Sequence, residues 1–206
     1  MPHSPKPIAV VLDVGNVLYG WDPESFLVRQ FADDAERLRF IEDTSLYAWH
    51  ETLDGGRDFA SAAAKLSETF PAYAEHIAAW GDRFGETITD PVPGVHELVA
   101  ALDAVGVPLF AITHFSADFW APFRAREEAF FRRFRDIVVS GQEKLLKPDP
   151  AIYDLALERF ALRPADALFI DDRIINVEGA RAVGMHAHLF TTADDLRARL
   201  VAERLL

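Results

Sequence analysis

The sequence predicts a three-layer α/β/α sandwich interrupted by an all-helical insertion. Most of five short apolar runs are continuous rather than alternating, the pattern of strands covered on both faces of a mainly parallel sheet. After residue 93 these runs alternate with segments of helical spacing, which points to right-handed crossover units on a Rossmann-like sheet.

The first strand is Ile8 to Leu12, and it ends in "LDVGN". From Trp21 to about Thr89 the rhythm breaks, with helical patterns over Pro23 to Phe31, Ala35 to Glu42, Phe59 to Phe70 and Tyr73 to Phe84 and no convincing strand. Asp22-Pro23 reads as a cap followed by a first-turn proline, and Asp58 can cap the helix after Gly55-Gly56. The prolines and glycine of "TDPVPGV" (89 to 95) mark the return. Residues 1–20 and 90–206 are therefore expected to form the α/β core, and 21–89 a helical cap. In the core, helices over Val95 to Val105, Ala117 to Phe134, Ala151 to Phe160, Ile175 to Val183 and Ala193 to Leu206 accompany strands Pro108 to Ile112, Ile137 to Val139, Ala167 to Ile170 and His186 to Phe190.

Composition narrows the function classes. A net charge of −12 disfavours nucleic acid and anionic membranes as partners. The mixed cluster of Arg124, Arg126, Arg132, Arg133 and Arg135 with Glu127 and Glu128 reads as a solvated helix face. No run approaches the roughly eighteen apolar residues of a membrane span, and the first residues lack a signal segment, so a cytoplasmic location is expected. The chain has no cysteine, so any metal must be held by oxygen or imidazole.

Ligands of an open parallel sheet gather beyond the carboxyl ends of its strands. Those ends carry Asp13, then Thr113 with His114, then Ser140-Gly141 with Lys147 following in "KPDP", then Asp171-Asp172. Singly, Asp13 can be a turn former, Thr113 can satisfy a backbone group, Lys147 can be solvated and the acid pair can cap a helix. Together they place a carboxylate, a hydroxyl, an ammonium and an acid pair above one sheet edge.

In this order, "VVLDVGNVL", "LFAITH", "KPDPAIY" and "LFIDDRIIN" resemble the four motifs of the haloacid dehalogenase-like (HAD) hydrolase superfamily, in the subgroup with a helical cap after the first motif. The resemblance implies a Mg²⁺-dependent phosphatase of a small phosphorylated metabolite, for instance a sugar phosphate; a monomer or a homodimer is expected, the phenylalanine-rich stretch near 119 to 134 offering a face to a second copy. Asp13 would be the nucleophile that takes the phosphoryl group. Thr113, Lys147 and backbone groups at Val14 and Gly15 would hold the phosphate. Asp13, the Gly15 carbonyl, Asp171 and Asp172 would hold the metal, with Asn176 orienting a carboxylate or a metal-bound water. The same resemblance leaves open a metal-independent 2-haloacid dehalogenase or a weakened binding protein.

Two positions depart from the family pattern. Gly15 stands where most of its phosphatases carry the aspartate that protonates the leaving group, a function generally worth about 10²- to 10⁴-fold. His114 stands where asparagine is usual. Either His114, which borders the phosphate site, or His50 from "YAWHETLDGG" is a candidate to move the missing proton; the simpler role of His114 is to make the asparagine's hydrogen bonds.

Overall fold

The computed structural model describes residues 6–206. Strands β1 (Ala9–Leu12), β4 (Leu109–Thr113), β5 (Asp136–Val139), β6 (Ala167–Asp171) and β7 (His186–Leu189) form one parallel sheet in the order β5-β4-β1-β6-β7. Between β1 and β4 lie β2 (Tyr19–Trp21) and β3 (Ile88–Pro91), which pair antiparallel as a separate ribbon.

The strand interiors explain the three layers. Val10 and Leu12, Leu109 and Ala111, and Leu168 and Ile170 all face one apolar cluster. Their alternating neighbours Ala9 and Val11, Phe110 and Ile112, and Ala167 and Phe169 face another. With a side-chain period of two, apolar residues at every position require cover on both faces. The first face is covered by α6 (Val95–Ala104), α7 (Ala117–Arg126), α8 (Glu128–Phe131) and α12 (Ala193–Glu203). The second is covered by α10 (Pro150–Phe160) and α11 (Ile174–Ala182).

The stretch between β2 and β3 is helical: α1 (Pro23–Val28), α2 (Asp34–Thr44), α3 (Leu46–Asp54), α4 (Phe59–Thr69) and α5 (Ala74–Asp82). Its caps follow from the sequence. Asp22 accepts the Ser25 N–H at 2.9 Å with Pro23 in the first turn, and Asp58 accepts the Ser61 N–H at 2.8 Å. Phe26, Phe40, Leu53, Ile77 and Trp80 from these helices join the first apolar cluster.

The structure departs from the sequence expectations in four places. The ribbon β2–β3 was not expected, because three or four residues with a glycine or a proline carry almost no strand pattern. Helix α3 was not expected either, although Leu46, Trp49, His50 and Leu53 repeat at helical spacing. The long helix expected over Ala117 to Phe134 is two, because Glu127 leaves helical geometry at φ −101° and ψ 22°. A one-turn helix α9 (Ser140–Glu143) starts where β5 ends. There Gly141 is demanded by close backbone approach, since an added Cβ would lie 2.5 Å from the Ala117 nitrogen. Among the described residues no helix is long and apolar enough to cross a membrane.

Candidate active site

The register aligns the strand ends. Leu12 pairs with Ala111 on one side and Ile170 on the other, so Asp13, Thr113 and Asp171 emerge along one edge. Lys147 comes up beneath them from the segment after α9. Asp149 accepts the Ala151 N–H at 2.9 Å and starts α10 with Pro150, and the Lys147 N–H donates to His114 Nε2 at 2.7 Å.

The Lys147 side chain is fully buried, and its three donor sites are all used. Nζ lies 2.8 Å from Asp13 Oδ2 and 2.7 Å from Asp171 Oδ2, and donates to the Ile112 carbonyl at 3.1 Å. Burial opposes the charge, but the two carboxylates overcome it and raise the Lys147 pKa, so the ammonium persists. Asp171 is also filled. Its Oδ1 accepts from the Arg173 N–H and Asn176 Nδ2, each at 2.9 Å, while Oδ2 takes Lys147 and a longer Asn176 contact of 3.1 Å. Burial raises this carboxyl, yet Lys147 and these donors hold it below the ordinary carboxylate range.

Asp13 and Asp172 are the less satisfied acids. Burial pushes Asp13 up to about 8 against the pull of Lys147, with Asp171 and Asp172 adding repulsion. Asp172 is raised by burial and by Asp171, with the Asn16 side chain bonding to it in part compensation. Asn16 holds φ 56°, a left-handed turn that asparagine tolerates, and its Oδ1 accepts the Trp21 N–H at 3.1 Å. Asp13, Asp171 and Asp172 each bring an oxygen to within 4.8 Å of the others.

A sequence pattern describing haloacid dehalogenase-like hydrolases matches residues 9–184. The chain belongs to the haloacid dehalogenase-like hydrolase family. Phosphoglycolate phosphatase from Thiobacillus denitrificans is 30% identical over 198 residues, covering 89% of this hydrolase and 83% of that protein. Acyl-CoA dehydrogenase family member 10 of Mus musculus is 27% identical over 86% of this hydrolase, which spans only 17% of the mouse protein's length. Among solved structures, the HAD family enzyme bt-2542 from Bacteroides thetaiotaomicron, in complex with magnesium and inorganic phosphate, aligns with a TM-score of 0.71 at 19% identity. That alignment covers 90% of this hydrolase and 95% of the solved chain.

Above the sheet edge the chain has a cavity of about 460 Å³, walled on its far side by α3, the only one of the helices α1–α5 that lines it among the described residues. Asp13, Val14, Gly15, His114, Asp172 and Asn176 line its floor, while Trp21, Tyr47, His50, Asp54 and Phe84 line its roof. Thr113 and Lys147 lie just below the floor, buried, with the Thr113 hydroxyl donating to the His114 carbonyl at 3.3 Å. The Val14 N–H donates to Asp13 Oδ1 at 2.7 Å. Gly15 is not imposed by packing, for an added Cβ would meet nothing within 4 Å.

Both candidate histidines of the hydrolase are held neutral. Burial, then Lys147, pushes His114 down to about 3, and its Nε2 is occupied by the Lys147 N–H. His50 is pushed down to about 4 by burial, stacked on Phe84, with Trp80 Nε1 donating to its Nδ1 at 3.3 Å. Asn16, Asp54 and Arg173 were not singled out by sequence reasoning. Asn16 had the turn signal "GN" and Arg173 followed the acid pair directly, whereas nothing local marked Asp54.

His114→Asn is expected to keep the shape of the pH–rate profile and lose less than about tenfold in kcat/KM, since an amide can accept the same N–H. The stability profile of this variant changes with a definite sign. His114 binds its proton near 6.5 when unfolded but only near 3 when folded, so wild-type stability falls as pH drops below 6.5. Thermal melts at pH 7.5 and 5 should show the variant losing less stability on acidification.

Proposed function

We propose that the chain is a divalent-cation-dependent phosphatase of a small phosphorylated metabolite, working through an aspartyl-phosphate on Asp13. The observation that carries this reading is the fully buried Lys147 ammonium bridging Asp13 and Asp171 beside a third acid, Asp172. Residues 1–20 and 90–206 would form the catalytic core, and 21–89 the cap that selects the substrate.

The donor set fits a hard cation. Three carboxylates converge and no cysteine is present, an all-oxygen donor set. Asp13, Asp172 and the Gly15 carbonyl would hold Mg²⁺, with Asp171 holding Lys147 and Asn176. When bound, the ion supplies charge neutralisation for a phosphate dianion that three acids and one ammonium would otherwise repel.

The residues divide the remaining work. Asp13 attacks phosphorus as a carboxylate, which needs no activating base. Lys147 pulls the Asp13 pKa down against burial and aims the carboxylate, whose ionisation would be complete with the cation bound, and the Lys147 charge draws in the phosphate oxygens. The Thr113 hydroxyl and the Val14 and Gly15 N–H groups complete the phosphate cradle, the Val14 N–H leaving Asp13 Oδ1 to do so. Trp21, Tyr47, His50 and Phe84 give the cavity an aromatic roof above the reacting atoms.

Phosphate release from p-nitrophenyl phosphate should depend on Mg²⁺ and fall by at least about 100-fold in EDTA. The same preparation should release no chloride from 2-chloropropionate. Metal-independent chloride release would overturn the phosphatase reading in favour of dehalogenation.

A further inference from the structure

Resting on the phosphatase reading, we propose that Asp54, supplied by the helical segment, is the general acid and base that takes over the work of the acid missing at Gly15. Asp54 is the last residue of α3 and lines the same cavity as Asp13. Its side chain is only 14% exposed, and among the described residues its Oδ1 has no hydrogen-bond partner, a costly state for an ionised carboxylate. The carboxyl also sits at the negative end of the α3 dipole, which favours its protonated form.

Its surroundings keep it in a state that can give and take a proton. From its own helix, His50 Nε2 lies 3.7 Å from Oδ1, and Glu51 adds like charge. His50 accepts from Trp80 at Nδ1, so its single proton sits on Nε2 and points toward Asp54. The Ser116 N–H hydrogen-bonds the carboxyl, and the Lys147 charge acts on it from farther off, both favouring the ionised form. Helix α9 packs against α3, but its Glu143 is paired with Arg159, and Asp118 of α7 accepts the Phe59 N–H. Burial dominates this balance and pushes Asp54 up to about 7, in the range where one group can serve in both directions.

The chemistry balances. As Asp13 attacks phosphorus and the bond to the leaving oxygen breaks, protonated Asp54 gives its proton to that oxygen and an alcohol departs. Water then enters; the Asp54 carboxylate takes one of its protons while the water oxygen attacks the aspartyl-phosphate. The Asp13–phosphorus bond breaks, phosphate leaves, and both carboxyls return to their starting states. His50 positions Asp54 and transfers no proton itself.

The test compares Asp54→Asn with wild type on aryl and alkyl phosphates spanning a range of leaving-group basicity, in Mg²⁺. Wild type should show a shallow dependence on leaving-group pKa. The variant should lose about 10²- to 10⁴-fold in kcat/KM on alkyl phosphates and far less on p-nitrophenyl phosphate, whose leaving group needs no proton. With that ester it should give a burst of nitrophenolate, because hydrolysis of the aspartyl-phosphate is slowed. Gly15→Asp in the Asp54→Asn background should restore part of the alkyl-phosphate rate, since position 15 has room for a side chain. Folding is checked by melting: Asp54 binds its proton more tightly folded than unfolded, so wild type loses stability as pH rises from about 4 to 7. Asp54→Asn should escape that loss. Equal loss on aryl and alkyl esters, or no loss on either, overturns the role of Asp54 while leaving the phosphatase reading intact. A wild-type protein inert on every ester overturns both.

Discussion

Asp13→Asn is expected to lower phosphate release by about four orders of magnitude or more while the protein stays folded. On the proposed mechanism Asp13 is the nucleophile, the one group whose loss removes the covalent route altogether, and such losses run to the largest single-residue effects seen in enzymes. An amide keeps the size and shape of the side chain, and Lys147 still has Asp171 at 2.7 Å, so the sheet edge should hold. The check is paired: steady-state rates on p-nitrophenyl phosphate, and mass spectrometry of acid-quenched protein during turnover. Wild type should carry a phosphate adduct on the peptide containing Asp13, and the variant none. An adduct on another carboxyl would reassign the nucleophile.

Lys147→Met is expected to cost stability as well as activity. Removing one partner from a buried ion pair generally costs about 3–5 kcal/mol, because the charges left behind have no water to turn to. For a chain of this size that corresponds to a fall in melting temperature of roughly 6–20 °C. The methionine fills much of the lysine's volume, so the loss would report the charge rather than a cavity. The deficit should shrink in acid. Asp171 is held below its unfolded pKa by Lys147, so the stability it contributes is present above that unfolded value and fades as pH falls through its folded one. Without Lys147 there is less to lose, and the two melting curves should converge. Calorimetry from pH 7.5 down to pH 3 checks both the size and the convergence; parallel curves would mean that the lysine holds its place by packing alone.

Much of the fold was legible because burial on both faces of the sheet leaves a continuous apolar signature in β1, β4 and β6. The groups at those strand ends were legible for the same reason, since each is the first polar residue after an apolar run. What escaped has a common physical cause. The ribbon β2–β3 is stabilised by its partner strand across 66 intervening residues, from 22 to 87, and not by its own composition. Helix α3 mixes Trp49 and His50 into its buried face, which blurs its apolar stripe. Asp54 matters through what folds against it, namely His50, Ser116 and the cavity, and a single sequence does not display such distant meetings. Glu127 ends α7 by its backbone geometry, in a stretch whose composition reads as helix throughout.

The ribbon has a consequence for how such a protein can change over generations. The chain leaves and re-enters the core through two strands that lie side by side, with the Asp22 N–H bonded to the Thr87 carbonyl at 2.7 Å. The two cut points are thus already joined. A tight turn in place of residues 22–87 would leave an ordinary hairpin, and a different helical insert would find the same anchor waiting. A new insert at that point would keep Asp13, Thr113, Lys147, Asp171 and Asp172 at the strand ends but would remove Asp54, so on the reading proposed above it would have to bring its own proton carrier.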